Sequence, residues 1–286
     1  MKSPIHGADN WSLSTTQTDH WRARSAANCA AFVEHLARPR GRPWARWDDA
    51  WAADPDCPVT FLRIATLQHP LAAVHAEELL ARLDQFYDEK PYVLWNHWPS
   101  PDLGTWGLDF MMHLRLMVRP PGAALPAPPP ELRIVNATDS VTVAAWERVL
   151  SDGYPLPELQ PAQAGILADK RTVEGQLRLW VGYVGNCPVT TAAVLPDGVV
   201  EGIYMVATVP EARHRGYGSA ITACAVACAP TLPAVLQATE DGVAVYTRLG
   251  FLDVSRVALW LRQARPKQVS TRTQNQNIKP ATEMPG

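Results

Sequence analysis

Six residues, Arg213-His214-Arg215-Gly216-Tyr217-Gly218, combine three basic side chains with two glycines in one turn of chain. The glycines remove side chains where a backbone must bend and a ligand must come close, so successive N–H groups can point outward at one spot. The small and apolar run Ser219 to Ala229 that follows reads as a helix, whose N-terminus adds partial positive charge. Together they suit the binding of an anion. Two more groups stand out for chemistry. Glu201 is a carboxylate at the start of an otherwise apolar run that continues through Thr208, and Tyr246 lies one turn before Gly250-Phe251. An ordinary helix stop, with Gly at C′ and Phe packing back, accounts for Gly250 and Phe251 but not for the tyrosine.

Other glycine loops fit less well. A dinucleotide-binding turn needs a third glycine where Ile221 stands, and it is missing. No Gly-Lys-Ser/Thr occurs in the chain, so a P-loop is ruled out.

The segment Arg213 to Gly218 resembles the Arg/Gln-x-x-Gly-x-Gly/Ala motif of GNAT acetyltransferases, and Tyr246-Thr247-Arg248-Leu249-Gly250-Phe251 resembles that family's late motif. The resemblance implies an α/β fold with a mixed sheet, the GNAT acyl-CoA N-acyltransferase fold, in the C-terminal half. It implies acetyl-CoA as co-substrate, its pyrophosphate on Arg213, His214, Arg215, Gly216, Tyr217, Gly218 and Ser219, and its pantetheine arm along the backbone of Val206, Ala207 and Thr208. Tyr246 would donate its hydroxyl to the coenzyme sulfur. Glu201 would be the base that frees an acceptor amine, on a small molecule or a peptide, for direct attack on the acetyl carbonyl. A non-catalytic acyl-CoA-binding module is the competing expectation. Thr239 departs from the Asn often found before the last helix of the family, which puts one coenzyme contact in doubt.

The elements that must position these groups follow from pattern. Residues 18–36 suit an amphipathic helix, and Trp44, Trp47 and Trp51 recur at a spacing expected of one face of a short helix. Residues 59–67 read as a strand, 71–87 as a helix, and 92–95 and 114–118 as strands. Eight of the eleven tryptophans precede residue 119. This half is similar in layout to the N-terminal part of two-domain GNAT proteins, a decayed copy without the coenzyme motif, and Trp95, His97, Trp98 and Trp106 are candidates to wall an acceptor pocket. Six prolines between Pro120 and Pro130 predict a stiff linker. Beyond it come a strand at 132–135, a helix at 140–150, a short helical piece at 161–169, a hairpin of 177–184 with 189–195 around Gly185-Asn186, and the central strand. A strand at 233–237, a helix at 241–249 and a strand at 251–261 complete it. The expected organisation is therefore a Trp-rich domain over 1–119, a linker over 120–130, the GNAT domain over 131–265 and a disordered tail over 266–286.

The balance of 26 Lys and Arg against 28 Asp and Glu shows no basic half, with 12 against 14 over residues 1–130 and 14 against 14 over residues 131–286, so nothing argues for a nucleic-acid partner. No signal pattern and no apolar run of roughly eighteen residues appears, which predicts a cytoplasmic protein without a membrane partner. Five cysteines without a Cys-x-x-Cys pair predict neither a disulfide framework nor a metal site. Oligomeric state is open, a homodimer being one possibility.

Overall fold

The computed structural model describes residues 13–154, 157–160 and 163–264. Its first half runs α1 (Thr15–Ala37), β1 (Trp44–Arg46), β2 (Ala50–Ala53), β3 (Ile64–Leu67), α2 (Ala76–Phe86), β4 (Tyr92–Asn96) and β5 (Leu108–Arg119). The second runs β6 (Leu132–Asn136), α3 (Ser140–Gly153), β7 (Arg178–Val184), β8 (Cys187–Pro196), β9 (Glu201–Thr208), α4 (Tyr217–Val226), β10 (Ala234–Ala238), α5 (Glu240–Arg248) and β11 (Leu252–Arg262). α1 and α3 both start on capping boxes, Ser14 with Gln17 and Asp139 with Thr142, which satisfy the first free N–H groups. The tail and the lead-in before residue 13 lie outside the described residues.

All eleven strands form one mixed sheet in the order β1-β2-β3-β4-β11-β5-β10-β9-β8-β7-β6. The apolar clusters put α1 and α3 over one face and α2, α4 and α5 over the other. β5 precedes the proline-rich stretch, yet it lies between β10 and β11, which follow it. That stretch is also not a free spacer: Arg119 reaches over to the Ala123 carbonyl at 2.6 Å, and Leu125 packs on the α4 cluster. No helix among the described residues is long and apolar enough to cross a membrane.

The two halves follow one plan. Gly107 and Gly250 both sit at positive φ, 76° and 86°. Twelve residues after each stands a buried arginine, Arg119 or Arg262. Arg119 Nε donates to the Leu249 carbonyl at 2.7 Å, just before Gly250, while Arg262 Nη1 donates to the Trp106 carbonyl at 2.6 Å, just before Gly107. β5 and β11 pair antiparallel from Leu252↔Val118 to Arg262↔Leu108, so each half lends its last strand to the other. Each half also holds one parallel pair, β3 with β4 and β9 with β10. An approximate internal two-fold relates them.

Three sequence expectations are corrected. Trp44, Trp47 and Trp51 lie on the β1–β2 hairpin and its turn instead of a helix, with Arg46 opposite Trp51. Their spacing marks no buried stripe: guanidinium groups cover the indoles, Arg38 at 5.1 Å, Arg82 at 4.9 Å and Arg46 at 4.1 Å. Within 59–67 only Ile64–Leu67 is strand, because Thr60–Leu62 turns and the Arg63 side chain ties that turn to the Cys57 and Pro91 carbonyls. The helical piece expected at 161–169 is absent from its described residues. The N–H groups of Gly165, Leu167 and Ala168 donate instead to the buried carboxylate of Glu147, at 2.6, 2.6 and 3.0 Å. Pro161 and Ala162 lie outside the described residues.

Candidate functional site

β9 and β10 pair only through Ala234↔Glu201 and Val235↔Gly202, then part. From Ile203 onward β9 keeps β8 on one side and an open edge on the other. Met205 stands at φ 53°, rare for a residue with a side chain, where the β8–β9 register slips between Thr191 and Ala193. This bulge re-aims Val206, Ala207 and Thr208. The Thr190 and Thr191 hydroxyls hold the Ala207 and Met205 carbonyls at 2.8 and 3.0 Å, fixing the bulged segment from the β8 side.

β9 leads into the glycine loop. His214 and Gly216 both take left-handed backbone, φ 63° and 81°, and α4 starts at Tyr217 with no side chain capping its first turn. The N–H groups of Tyr217, Gly218 and Ser219 precede the first helical bond, which runs from the Ala220 N–H to Gly216 at 2.9 Å, so they remain for a ligand. A Cβ on Gly218 would stand 3.4 Å from Thr208 Oγ1, so the helix start lies directly over the end of β9.

The side chains of the loop divide. Tyr217 turns inward, 3% exposed, and its hydroxyl donates to Glu131 at 3.0 Å, so only its backbone faces the cleft. Arg213 braces the loop by donating to the Thr208 carbonyl at 3.2 Å and the Gly153 carbonyl at 2.9 Å. His214 and Arg215 are exposed and have no hydrogen bond or ion pair among the described residues, and Ser219 is half-buried.

Tyr246 lies half-buried on α5. Its ring leans back over Gly242, leaving 2.9 Å to a Cβ there, and meets Phe251 edge-on at 5.9 Å between centroids. Burial and the neighbouring Tyr154 push its phenol above the ordinary 10. Tyr154 was not foreseen. It follows α3, and its hydroxyl donates to the Val206 carbonyl at 3.2 Å. α3 itself ends so close to β9 that a Cβ on Gly153 would lie 2.9 Å from the Ala207 Cβ. Gly153-Tyr154 in the sequence signals a helix end, but no local pattern tells which strand that end meets. Thr239, the departure from the family pattern, is the N-cap residue of α5 without a side-chain capping bond.

Glu201 is placed apart from these groups. It sits at the closed end of the cleft, where β9 and β10 are still paired, and is 0% exposed. Neither carboxyl oxygen makes a hydrogen bond of regular geometry. Burial beside the end of α4 raises its pKa from 4.5 to about 8. Val206 lies five residues further, about 16 Å along an extended strand.

Among its described residues the first half has no such cleft. Where β3 and β4 end, Trp98 fills the gap and its indole N–H donates to the Leu67 carbonyl at 3.2 Å. Trp95 and His97 are buried and Trp106 is half-buried in the α2 cluster. The position four residues before Gly107 is Leu103, where Tyr246 stands before Gly250. Among the described residues no group of three His, Cys, Asp or Glu side chains is placed to hold a metal ion.

A scan against protein-family models and a search of curated proteins find no match to the sequence. Solved structures do match. A GCN5-related N-acetyltransferase from Kribbella flavida superposes with a TM-score of 0.62 at 19% identity, covering 84% of this chain and 94% of that one. The chain has the GNAT fold. A GCN5-related N-acetyltransferase-like protein from Streptococcus suis gives 0.53 at 13% identity over 87% of this chain and 100% of its own. A GCN5-related N-acetyltransferase from Sphaerobacter thermophilus gives 0.50 at 13% over 85% and 94%. In GNAT terms, the matched region takes in both halves, and the parted strands with the glycine loop belong to the second.

Proposed function

We propose that the second half binds acetyl-CoA and transfers its acetyl group directly to a primary amine. The observation that carries this reading is the continuity of the parted β9–β10 pair with the uncapped start of α4. An extended amide chain laid on the open edge of β9 would satisfy backbone groups of Val206, Ala207 and Thr208. A pyrophosphate would then meet the free N–H groups of Tyr217, Gly218 and Ser219 and the helix's positive end. Arg215 is free to add charge and the His214 ring to add a hydrogen bond, whereas Arg213 acts by holding the loop in place.

In the reaction the amine nitrogen attacks the acetyl carbonyl carbon, the tetrahedral centre collapses, and the carbon–sulfur bond breaks to leave a thiolate. Tyr246 donates a hydrogen bond to that sulfur, strongest as charge develops on it. Its phenol, above the ordinary 10 against a thiol reference of about 8.5, keeps its own proton, so the released thiolate is protonated from water. Glu201 does not remove the amine proton in this reading, because its carboxyl is closed off under α4 and neutral below about pH 8. Water at the open edge takes it. A non-catalytic acyl-CoA-binding module would not need the tyrosine.

Thiol release from acetyl-CoA on a panel of small amines and lysine peptides, in wild type and Tyr246→Phe, tests this. A hydrogen bond to a charged group is worth roughly 1.5–3 kcal/mol, so the variant should turn over about ten- to a hundred-fold more slowly, with coenzyme affinity nearly unchanged. A rate within about twofold of wild type removes that hydrogen-bonding role from Tyr246. No thiol release with any amine, coenzyme binding being intact, leaves the binding module as the function.

A further inference from the structure

A pocket of about 740 Å³ opens on the first-half side of β11, beyond the point where β4 ends at Asn96. Trp98, Phe110 and Trp260 supply aromatic walls, and Arg22, Asn96 and Arg256 supply polar ones. Hydrogen-bond donors dominate. Arg22 is pinned by Ser255 Oγ at 3.0 Å and Asp19 at 2.8 Å, which fixes its guanidinium and leaves Nη2 without a partner among the described residues. Arg256 uses only Nη1, on Asp253 at 2.9 Å and on the Ser255 carbonyl. Asn96 commits its oxygen to the Trp98 N–H at 2.9 Å, so the amide's orientation is set and Nδ2 is buried without a partner. The one carboxylate in the lining, Asp102, is occupied in capping Gly104 at 2.9 Å.

Unpaired donors concentrate at this spot. Trp260 Nε1 is buried and unpaired in the wall, and behind Asn96 neither ring nitrogen of the fully buried His97 makes a hydrogen bond of regular geometry. Each buried group left unpaired costs about 1–3 kcal/mol, so a cluster of them beside a cavity is not explained by stability. The internal two-fold adds to the case. In the second half α5 follows the central parallel pair, whereas in the first half the loop of residues 97–107 takes that place and forms one wall of the pocket.

We infer that this pocket is a second ligand site, separate from the coenzyme cleft, that takes a small aromatic carboxylate: the ring between Trp98, Phe110 and Trp260, the carboxylate on Arg22 and Arg256. Two arginine donors and a positioned amide match the two oxygens of a carboxylate, and the aromatic walls provide the apolar contact of a ligand pocket. The site does not depend on the acetyl-transfer reading.

Fluorine NMR of 4-fluorophenylacetate with the full chain tests it. A ligand of this size should bind at about 1 mM, the neutral 4-fluorophenylacetamide about tenfold or more weakly. Saturating acetyl-CoA should leave the probe bound. Arg256→Gln, at an exposed side chain whose loss spares the fold, should weaken the probe about fivefold or more, and Arg22→Gln at least as much. The inference is overturned if the carboxylate shows no binding at several times that concentration, if amide and acid bind alike, if acetyl-CoA displaces the probe, or if folded Arg256→Gln binds it as wild type does.

Discussion

Gly218→Val is expected to weaken acetyl-CoA binding by about a thousandfold while leaving the fold intact. A pyrophosphate at the start of α4 would take charge-assisted bonds from the free N–H groups there, each worth roughly 1.5–3 kcal/mol, and losing two of them is about 4 kcal/mol. Valine removes them by occupancy. Its Cβ has room, at 3.4 Å from Thr208 Oγ1, and residue 218 does not hold a positive φ, so the helix keeps its path. The branched methyls then stand over the N–H groups where the phosphate oxygens belong. The same change at Gly216 would be a poorer experiment, because φ 81° there strains any side chain and would confuse loss of binding with loss of structure. Calorimetry of the folded variant decides; affinity within threefold of wild type would separate the loop from the coenzyme.

The second large effect is on stability. Glu201→Gln should stabilise the protein by on the order of 3 kcal/mol at pH 7 and by close to nothing at pH 4. The folded carboxyl titrates at about 8 against 4.5 for the ordinary group, since burial disfavours its charged form. Below 4.5 both states are neutral and the shift has no effect. Between 4.5 and 8 the unfolded chain ionises and the folded one does not, so stability falls as pH rises; above 8 the full penalty remains. Glutamine has no such step. Urea titrations of both proteins at several pH values measure it, and parallel pH profiles would mean that Glu201 is not a buried neutral acid. The same variant should turn over within about twofold of wild type, whereas a tenfold or larger loss would restore Glu201 as the base.

What the sequence disclosed was what chemistry writes locally. The glycine loop, the tyrosine one turn before Gly250 and, apart from the helical piece expected at 161–169, the order of strands and helices after residue 131 were legible because glycine spacing, periodicity and turn pairs are local signals. The inward turn of Tyr217 was not, because it depends on Glu131, 86 residues away. Tyr154 on the Val206 carbonyl and the brace from Arg213 to Gly153 escaped for the same reason. The hairpin of Trp44, Trp47 and Trp51 was misread since an arginine covers each indole and, of the three, Trp47 alone also packs on the α2 cluster. The exchange of β5 and β11 left only a faint trace, a glycine and an arginine at equal spacing in each half, and its meaning appears once Arg119 and Arg262 are seen reaching to each other's glycine turns. The facing of Glu201 was also beyond the sequence, because one residue of register reverses a strand side chain.

The most direct test of the central claim is the position of acetyl-CoA in a crystal of the full chain grown with it. Pantetheine should lie along the open edge of β9 at Val206 to Thr208, the pyrophosphate over the N–H groups of Tyr217, Gly218 and Ser219, and the sulfur within hydrogen-bonding distance of the Tyr246 hydroxyl. A coenzyme bound elsewhere, with its phosphates away from the start of α4, would contradict it.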